Sequence, residues 1–231
     1  MDKTVENAKP VKNRSRFKLI LNISIIVISI LLLAVEGVVW YQRSYLTPFW
    51  VNGQSMYPTL NLHATDKNGK ELGPAPADPS AREGYTVDYG VMDTHEKAIK
   101  KLKRFDIVVT KYTPQDTSNK IKRILGLPGE TVEFKNGGDL YINSSLVAQP
   151  VPDEYIRGAS YPSGVITLGN DEYYVAGDNR KHSYDSGNIG PVKREWITGK
   201  AVAICGTAKV YLDNKNFYDV KDVKYTWPRW L

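Results

Sequence analysis

The sequence predicts a mainly β domain that follows a single N-terminal transmembrane helix. Two observations lead to this prediction. One long apolar segment lies near the start of the chain, and short runs of β-branched and aromatic residues recur through the rest of it. With 231 residues, the chain is long enough for one membrane anchor and one domain that buries its own core.

The apolar segment, residues 19–41, is predicted to cross a membrane. Its 23 positions contain one charged residue, Glu36, and as a helix they span about 35 Å. The segment is longer than the apolar part of a cleavable signal and ends in aromatic rather than small residues, which favours an uncleaved anchor. Five Lys and Arg residues occupy the ten positions before it. The positive-inside rule therefore predicts that residues 1–18 are cytoplasmic and residues 42–231 extracytoplasmic.

The rest of the chain is predicted to be largely β. Runs rich in β-branched and aromatic residues alternate with Gly, Pro, Asn and Asp, a pattern typical of strands joined by turns. The predicted strands are residues 105–112, 120–125, 131–134, 140–142, 165–168, 172–176, 196–204 and 209–212. The sequence Asn-Gly-Gly at 136–138 predicts a tight hairpin between two of these strands.

Two segments interrupt the β pattern. Residues 66–84 are rich in Pro, Gly and charge, so they are predicted to form an exposed loop. Residues 94–103 predict one short helix, because Asp93 and Glu96 have the spacing of a capping box and three apolar residues of the segment would form one stripe.

Charge and composition exclude several classes of protein. The net charge is +6, but residues 1–18 hold six Lys and Arg against two acids, which accounts for +4 of it. A nucleic-acid partner is not expected, because such proteins carry their positive charge on the folded domain. Cys205 is the only cysteine, so an intramolecular disulfide and a cysteine metal cage are both excluded. The chain also has no phosphate-loop or dinucleotide-binding motif.

Ser55 is the first candidate for chemistry. It lies between Gly53 and Pro58, a context that can hold a side chain out from the backbone. A serine needs a neighbouring base to become a nucleophile at neutral pH. Lys122 is one candidate base, because strand alternation places it on the same face as Ile124, against apolar surface. Lowering a lysine pKa from about 10.4 to roughly 8 takes about 3 kcal/mol, which burial can supply.

A histidine is the alternative base. Among the three histidines, His182 is the plausible partner, and Asp178 and Asp185 lie near it in sequence. A Ser-His-Asp triad is therefore also possible. The residues by themselves leave both arrangements open.

Four segments, in this order along the chain, resemble the boxes of the type I signal peptidases. They are SMYPTL at 55–60, RFDIVV at 104–109, IKRILGLPGE at 121–130 and GDNRKHSYDS at 177–186. The resemblance covers the anchor and nearly the whole outer domain, and the single span with a compact catalytic part is similar to the Gram-positive branch. It implies a largely antiparallel, barrel-like β fold with a hydrophobic substrate groove.

The resemblance also implies the roles of individual residues. Ser55 matches the nucleophile of the family and Lys122 matches its general base. Ser183 matches a serine that orients this lysine by a hydrogen bond. The positions that match residues holding the site in shape are Asp178, Arg180 and Asp185.

This sequence departs from the family pattern at several places. Gly53 stands where many Gram-negative relatives have a serine that donates to the oxyanion, so a backbone donor is needed; the Ser55 N–H and a main-chain group near Gly53 are the expected donors. Gly187 stands where the family often has an arginine, which removes a possible ion pair to Asp185. Phe105 replaces a glycine. Residues 61–103 form a variable insertion that is predicted to be mainly loop.

The activity implied by the resemblance is removal of signal peptides from exported preproteins after small residues of the Ala-x-Ala type. The expected partners are these preproteins, the lipid bilayer and the secretion or pilus-assembly machinery, and no metal or organic cofactor is expected. The residues predicted to form the walls of the substrate pocket are Val51, Met56, Leu60 and Ile121. Residues 225–231 are rich in aromatics and predict either a contact with the membrane interface or a packed or loose tail.

Two other classes of protein remain open at this level. One is a non-enzymatic relative that acts as a membrane-tethered chaperone or pilus-assembly factor. The other is a β domain that only binds ligands. Both Ser55 and Lys122 are present, which disfavours the first, and the ordered match of four boxes disfavours the second.

Overall fold

The computed structural model describes residues 12–74, 82–213 and 218–231. The chain divides into two compact units, one ending at Ser44 and one running from Tyr45 to Leu231. The helices are α1 (Lys12–Tyr45), α2 (Glu96–Lys100), α3 (Asp153–Ile156) and α4 (Ser186–Ile189). The strands are β1 (Leu46–Trp50), β2 (Thr86–Asp93), β3 (Ile107–Thr110), β4 (Lys120–Gly126), β5 (Thr131–Lys135), β6 (Asp139–Ile142), β7 (Ser145–Val147), β8 (Val165–Thr167), β9 (Glu172–Ala176), β10 (Val192–Lys193), β11 (Ile197–Leu212) and β12 (Tyr218–Trp230).

Helix α1 contains the predicted anchor and extends beyond it at both ends. It is long and apolar enough to cross a membrane, and its Leu, Ile and Val side chains are exposed along the whole span. A soluble protein would bury such a surface, so exposure of this kind is what a lipid-facing helix requires. The first eleven residues of the predicted cytoplasmic segment lie outside the described residues.

The larger sheet is antiparallel, with strand order β1-β2-β11-β3-β4-β9-β10. Strand β11 organises it. Its first residues pair with β3 and its later residues pair with β12, whereas β2 pairs along its other edge. The sequence predicted two strands here, 196–204 and 209–212. They are one continuous strand, β11. Gly206 lies between the two predicted strands and lets β12 pair closely there, because a Cβ at this position would lie 2.1 Å from the Lys224 carbonyl oxygen.

The smaller sheet has the order β7-β6-β5-β8 and is also antiparallel. Its β5–β6 hairpin confirms the turn predicted at 136–138, where Asn136, Gly137 and Gly138 all have positive φ. The inner faces of this sheet and of β9 share one apolar cluster, which includes Val132, Leu140 and Tyr174.

The insertion at 61–103 is loop over most of its described residues, but it also contributes regular elements. It contains β2, a strand between β1 and β11 in the larger sheet, and the predicted short helix, which is reduced to α2. The cap of α2 also differs from the prediction. His95, rather than Asp93, accepts the Lys97 N–H, and Asp93 accepts the His95 N–H instead. Residues 75–81 of the predicted exposed loop lie outside the described residues.

The aromatic C-terminal segment is a strand and not a loose tail. Strand β12 pairs with β11, and three of its aromatic side chains are largely exposed: Tyr225, Trp227 and Trp230. Leu231 packs against an apolar cluster of Val51, Met56, Leu60, Ile107, Ala201 and Ile204. This cluster lies directly under the loop that carries Ser55.

Candidate active site

Ser55 lies in a tight turn five residues after β1. The turn is fixed from both sides, because Met56 and Leu60 are fully buried and the Leu60 N–H donates to the Met56 carbonyl at 2.9 Å. The Asn179 N–H holds the turn from outside by donating to the Ser55 carbonyl at 3.0 Å. The serine is thus a half-buried residue on a rigid support, which is the placement that a nucleophile needs.

Lys122 of β4 contacts the Ser55 side chain. Its Nζ donates to Ser55 Oγ at 2.8 Å and to the Ile121 carbonyl at 3.0 Å. The side chain is only 4% exposed. Burial disfavours the ammonium and lowers the pKa of Lys122 from 10.5 to about 8; the charge of Asp185 acts in the opposite direction and that of Lys120 in the same one. A lysine with this pKa is neutral often enough to accept a proton near physiological pH.

A buried ion pair joins the strand of Lys122 to the loop after β9. Arg123 Nε donates to Asp178 Oδ1 at 2.8 Å and Arg123 Nη2 donates to Asp178 Oδ2 at 2.6 Å. Thr59 donates to the same carboxylate at 2.5 Å, and Arg123 Nη1 donates to the Phe105 carbonyl at 2.9 Å. All four segments that suggested the family are therefore tied to one guanidinium and one carboxylate.

The sequence reasoning identified Asp178 but not Arg123. The signal was available, because strand alternation turns Arg123 away from the face of Lys122, and an arginine buried there needs a carboxylate partner.

Asp185 organises the loop after β9. It accepts hydrogen bonds from the Gly177 N–H at 2.8 Å and the Gly187 N–H at 3.0 Å, and it caps α4. The Ser183 hydroxyl also donates to Asp185, and it accepts the Gly177 N–H at 3.2 Å. The hydrogen bond from Ser183 to Lys122 that the resemblance implies is therefore not formed. The carboxylate competes successfully for the hydroxyl proton, since a charged acceptor makes the stronger hydrogen bond.

Gly177 permits the close approach of this loop to Ser55. A Cβ at position 177 would lie 2.4 Å from the Ser55 carbonyl oxygen. Only glycine can occupy this position without displacing the serine.

The alternative base, His182, forms no hydrogen bond with the Ser55 hydroxyl among the described residues. His182 lies exposed in the 3₁₀ turn Arg180–His182, and the hydrogen bond of Ser55 goes to Lys122. Asp178 is engaged by Arg123, and Asp185 by the Ser183 hydroxyl and two backbone N–H groups. The geometry favours the lysine over a Ser-His-Asp arrangement.

Asn61 braces the loop in front of Ser55, a role that no pattern in the sequence predicts. Its buried Nδ2 donates to the carbonyls of Val51 at 2.8 Å and Gly53 at 3.0 Å. Its own backbone has a positive φ of 59°, which asparagine tolerates. Asp88 of β2 fixes it in place, because the Asn61 N–H donates to Asp88 Oδ2 and the Asp88 N–H donates to Asn61 Oδ1, each at 2.8 Å.

A groove of about 570 Å³ runs beside Ser55. Its walls are the segment from Pro48 to Gly53, the residues from Thr117 to Ile121, and the side chains of Met92, Val109 and Tyr218. Of the four residues predicted to form the walls of the substrate pocket, Val51 and Ile121 line this groove. Met56 and Leu60 do not, because both are fully buried in the apolar cluster under the turn.

Two features of the groove suit an extended peptide. Strand β4 pairs with β9 only from Arg123 onward, so among the described residues the Lys120–Lys122 stretch has a strand partner on one side only, in β3. The N–H groups of Gly53 and Ser55 also donate to no carbonyl or side chain within the described ranges. An unpaired strand edge and two free donors next to a serine can bind a peptide and stabilise an oxyanion.

Phe105 departs from the family glycine and carries a glycine-like backbone. Its φ is 72°, a left-handed conformation that costs a phenylalanine about 1–2 kcal/mol. The ring packs against the apolar cluster of the smaller sheet, which offsets this cost. The Phe105 carbonyl accepts from Arg123, so the strained residue supports the buried ion pair.

Comparison with known proteins identifies the family of this chain. The family model for signal peptidase, peptidase S26, matches residues 20–205. Signal peptidase I U of Bacillus subtilis is 31% identical over 79% of this chain and 84% of its own length. Signal peptidase I of Bacillus amyloliquefaciens is 31% identical over 73% of this chain and 80% of its own length.

A crystal structure of a signal peptidase I from Enterococcus faecalis is 32% identical and matches 43% of this chain and 96% of that chain, with a TM-score of 0.38. The family model covers well over half of the chain, and both Bacillus relatives are matched over more than two thirds of their length. The chain therefore belongs to the type I signal peptidases and is a peptidase anchored to a membrane.

Proposed function

We propose that this peptidase removes signal peptides by a Ser-Lys dyad in which Ser55 is the nucleophile and Lys122 the general base. The observation that carries the proposal is the 2.8 Å hydrogen bond between Lys122 Nζ and Ser55 Oγ, formed by a lysine whose pKa burial lowers to about 8. No other basic side chain lies at hydrogen-bond distance from this hydroxyl among the described residues.

The reaction follows from these positions. Neutral Lys122 accepts the Ser55 proton while Ser55 Oγ attacks the scissile carbonyl carbon. The resulting oxyanion accepts hydrogen bonds from the Ser55 N–H and from a main-chain N–H near Gly53. The C–N bond then breaks, and the lysine ammonium gives its proton to the leaving amine, which leaves an acyl-enzyme. Water, deprotonated by neutral Lys122, hydrolyses the ester and restores Ser55.

The substrate is proposed to bind as an extended strand along the open edge of Lys120–Lys122. Val51 and Ile121 then form the wall that faces the side chains before the cut. Alternate side chains of a strand point to the same face, so a narrow apolar wall selects small residues at the first and third positions. This arrangement fits Ala-x-Ala endings.

The anchor places the reaction at a membrane surface. We infer that residues 1–18 are cytoplasmic, that residues 19–41 span the bilayer, and that the domain from residue 42 lies outside. The partners are then exported preproteins, the lipid bilayer and the machinery of secretion or pilus assembly. Confinement of enzyme and preprotein to one surface raises their effective concentration.

The test is cleavage of a preprotein with an Ala-x-Ala site by the full-length protein in lipid vesicles. Ser55→Ala and Lys122→Met are expected to abolish cleavage, whereas His182→Ala is expected to retain it, because this side chain is exposed and forms no hydrogen bond with the Ser55 hydroxyl among the described residues. A preprotein with leucine at the first position before the cut is expected to be resistant.

Two results would contradict the proposal. Normal cleavage by Lys122→Met together with loss of cleavage in His182→Ala would replace the dyad with a triad. Failure of the wild type on several preproteins and pilin precursors would favour a non-enzymatic chaperone.

A further inference from the structure

A second cavity lies against the loop that follows β9, and it shares no lining residue with the groove beside Ser55. Its volume is about 360 Å³. One wall is formed by residues 158–162, the floor by Tyr174 and Ala176 of β9, and the other wall by side chains between Arg180 and Asn188. We call it the Arg180 cavity.

Arg180 has an unsatisfied guanidinium. The side chain is 8% exposed, and its Nε donates to the Gly177 carbonyl at 2.7 Å. Both terminal nitrogens are buried, and neither has a hydrogen-bond partner among the described residues. A nearby polar group is the Tyr161 hydroxyl, whose pKa burial raises and the charge and proximity of Arg180 lower. This hydroxyl donates to the Ile156 carbonyl at 2.6 Å, and its contact with the guanidinium falls short of normal hydrogen-bond geometry, so it supplies no anionic partner.

The second buried arginine of this region provides an internal comparison. Arg123 is 7% exposed, yet Nε and both terminal nitrogens are hydrogen-bonded, and Asp178 neutralises its charge. Arginine stays protonated in proteins, and a buried, unpaired charge is costly. Arg180 therefore lacks the anion that Arg123 has.

The other charges around the cavity do not supply this anion. Asp185 is the only carboxylate in the lining, and its oxygens already accept from Ser183 and from two backbone N–H groups. Lys181 also lines the cavity, and its ammonium lies beside Gly158, where a Cβ would be 3.4 Å from Nζ. The lining thus carries two cations and one carboxylate, a net charge of +1.

We propose that the Arg180 cavity binds a small oxyanion, a carboxylate or phosphate group, that accepts hydrogen bonds from the two terminal nitrogens of Arg180. A guanidinium presents its donors as a planar fork, which matches two oxygens of such a group. Lys181 adds a second positive charge at the same cavity. Gly187 has no side chain, which leaves space in the cavity for an anion. A Cβ at this position would contact two groups of the lining, Asp185 Oδ1 at 3.4 Å and the Tyr174 hydroxyl at 3.5 Å, so a larger side chain would occupy part of this space.

The test measures binding to the full-length protein in detergent micelles, by calorimetry and by the melting temperature Tm, with sodium phosphate and with sodium acetate at constant ionic strength. Sodium chloride is the control for ionic strength. The wild type is expected to show a saturable heat and a rise in Tm. A response to phosphate alone assigns the site to a tetrahedral oxyanion, and a response to acetate alone assigns it to a carboxylate, including one carried by a polypeptide.

Three variants locate the site. Arg180→Met is expected to lose the response. Gly187→Leu keeps Arg180 but fills the cavity, so it is expected to weaken binding by at least about tenfold and serves if Arg180→Met does not fold. Lys193→Met removes the same charge from an exposed position outside the cavity and is expected to bind like the wild type.

Two results would overturn the proposal: no saturable response in the wild type, or an equal response in the wild type and Gly187→Leu. Binding is read without a cleavage assay, so this test stands even if the proposed peptidase mechanism fails.

Discussion

Replacing Lys122 by methionine is expected to inactivate the enzyme and to stabilise its fold at neutral pH. Methionine has a similar length and no charge, so it fills the same buried space without the cost of desolvating an ammonium. In the proposed mechanism the lysine must stay buried to act as a base, and this burial destabilises the folded protein.

The size of the effect follows from the pKa. Burial lowers the pKa of Lys122 from 10.5 to about 8. Since a tenfold change in the protonation equilibrium corresponds to about 1.4 kcal/mol, the folded state is disfavoured by about 3 kcal/mol when the unfolded lysine is fully protonated. The variant also loses the hydrogen bond to Ser55, about 1 kcal/mol, so the net gain at pH 7 is about 2 kcal/mol.

The pH dependence identifies the cause. Below pH 8 the lysine is charged in both the folded and the unfolded state, and the full cost applies. Between pH 8 and 10.5 the folded protein binds fewer protons than the unfolded one, so wild-type stability rises with pH. Above 10.5 the lysine is neutral in both states and the cost disappears. The advantage of Lys122→Met is therefore expected to shrink steadily from pH 8 to 10.5.

The assay is denaturant unfolding of the full-length protein in micelles, followed by tryptophan fluorescence at several pH values. Lys120→Met is the matched control, because Lys120 lies on the same strand but its ammonium bonds Ser118 at the surface. This control is expected to show no comparable gain. Two results would refute the reasoning. One is a Lys122→Met variant that is less stable than the wild type at pH 7. The other is a difference in free energy of unfolding between variant and wild type that is the same at pH 7 and at pH 10.5.

Three further predictions concern catalysis and the support of the site. The rate of cleavage by the wild type is expected to rise about tenfold from pH 7 to 9, because the neutral fraction of Lys122 rises from about one tenth to about nine tenths at a pKa of about 8. A cleavage rate that stays constant across this range in single-turnover measurements would exclude a base of this pKa. Asn61→Gly keeps the positive φ but removes the donors to Val51 and Gly53, so kcat/KM is expected to fall about tenfold with an unchanged pH profile, and wild-type kinetics would show that the brace is dispensable. Phe105→Ala and Phe105→Gly lose the same ring, but only glycine adopts the φ of 72° without strain, so Phe105→Gly is expected to be more stable than Phe105→Ala by about 1 kcal/mol in thermal unfolding. A glycine variant that is no more stable than the alanine variant would contradict strain at this residue.

The sequence led to the two central residues mainly through a resemblance. Ser55 and Lys122 were identified because the order of four segments resembles a family. Strand alternation did predict that Lys122 shares a face with Ile124, and both side chains are buried. Ser55 and Lys122 are 67 residues apart and are brought together by tertiary contacts that no local pattern encodes, such as the hydrogen bond from Arg123 Nη2 to Thr59 Oγ1 at 3.2 Å.

Other features were beyond the reach of local patterns. Strand β2 contains Asp88 and Gly90, which weaken a strand signal, but each has a tertiary reason: Asp88 holds Asn61, and a Cβ at Gly90 would lie 2.4 Å from the Ala203 carbonyl oxygen. Strand β12 contains Pro228, and proline is tolerated only in a strand that has a free edge. Since the sequence does not show which strands lie at an edge, this strand was not predicted. Whether the Ser183 hydroxyl turns to Asp185 or to Lys122 depends on competition between acceptors, which requires coordinates.

The insertion also limits how this enzyme can be modified. The insertion bonds to other parts of the site in three places: Asn61 supports the loop before Ser55, the Pro74 carbonyl accepts from Asn179 at 2.7 Å, and Asp88 pairs with Arg229 of β12 at 3.2 Å. The insertion therefore cannot be deleted without removing contacts that support the site. A chimera that takes this segment from a relative must inherit matching partners at positions 179 and 229, and a shortened version must replace the support under the nucleophile.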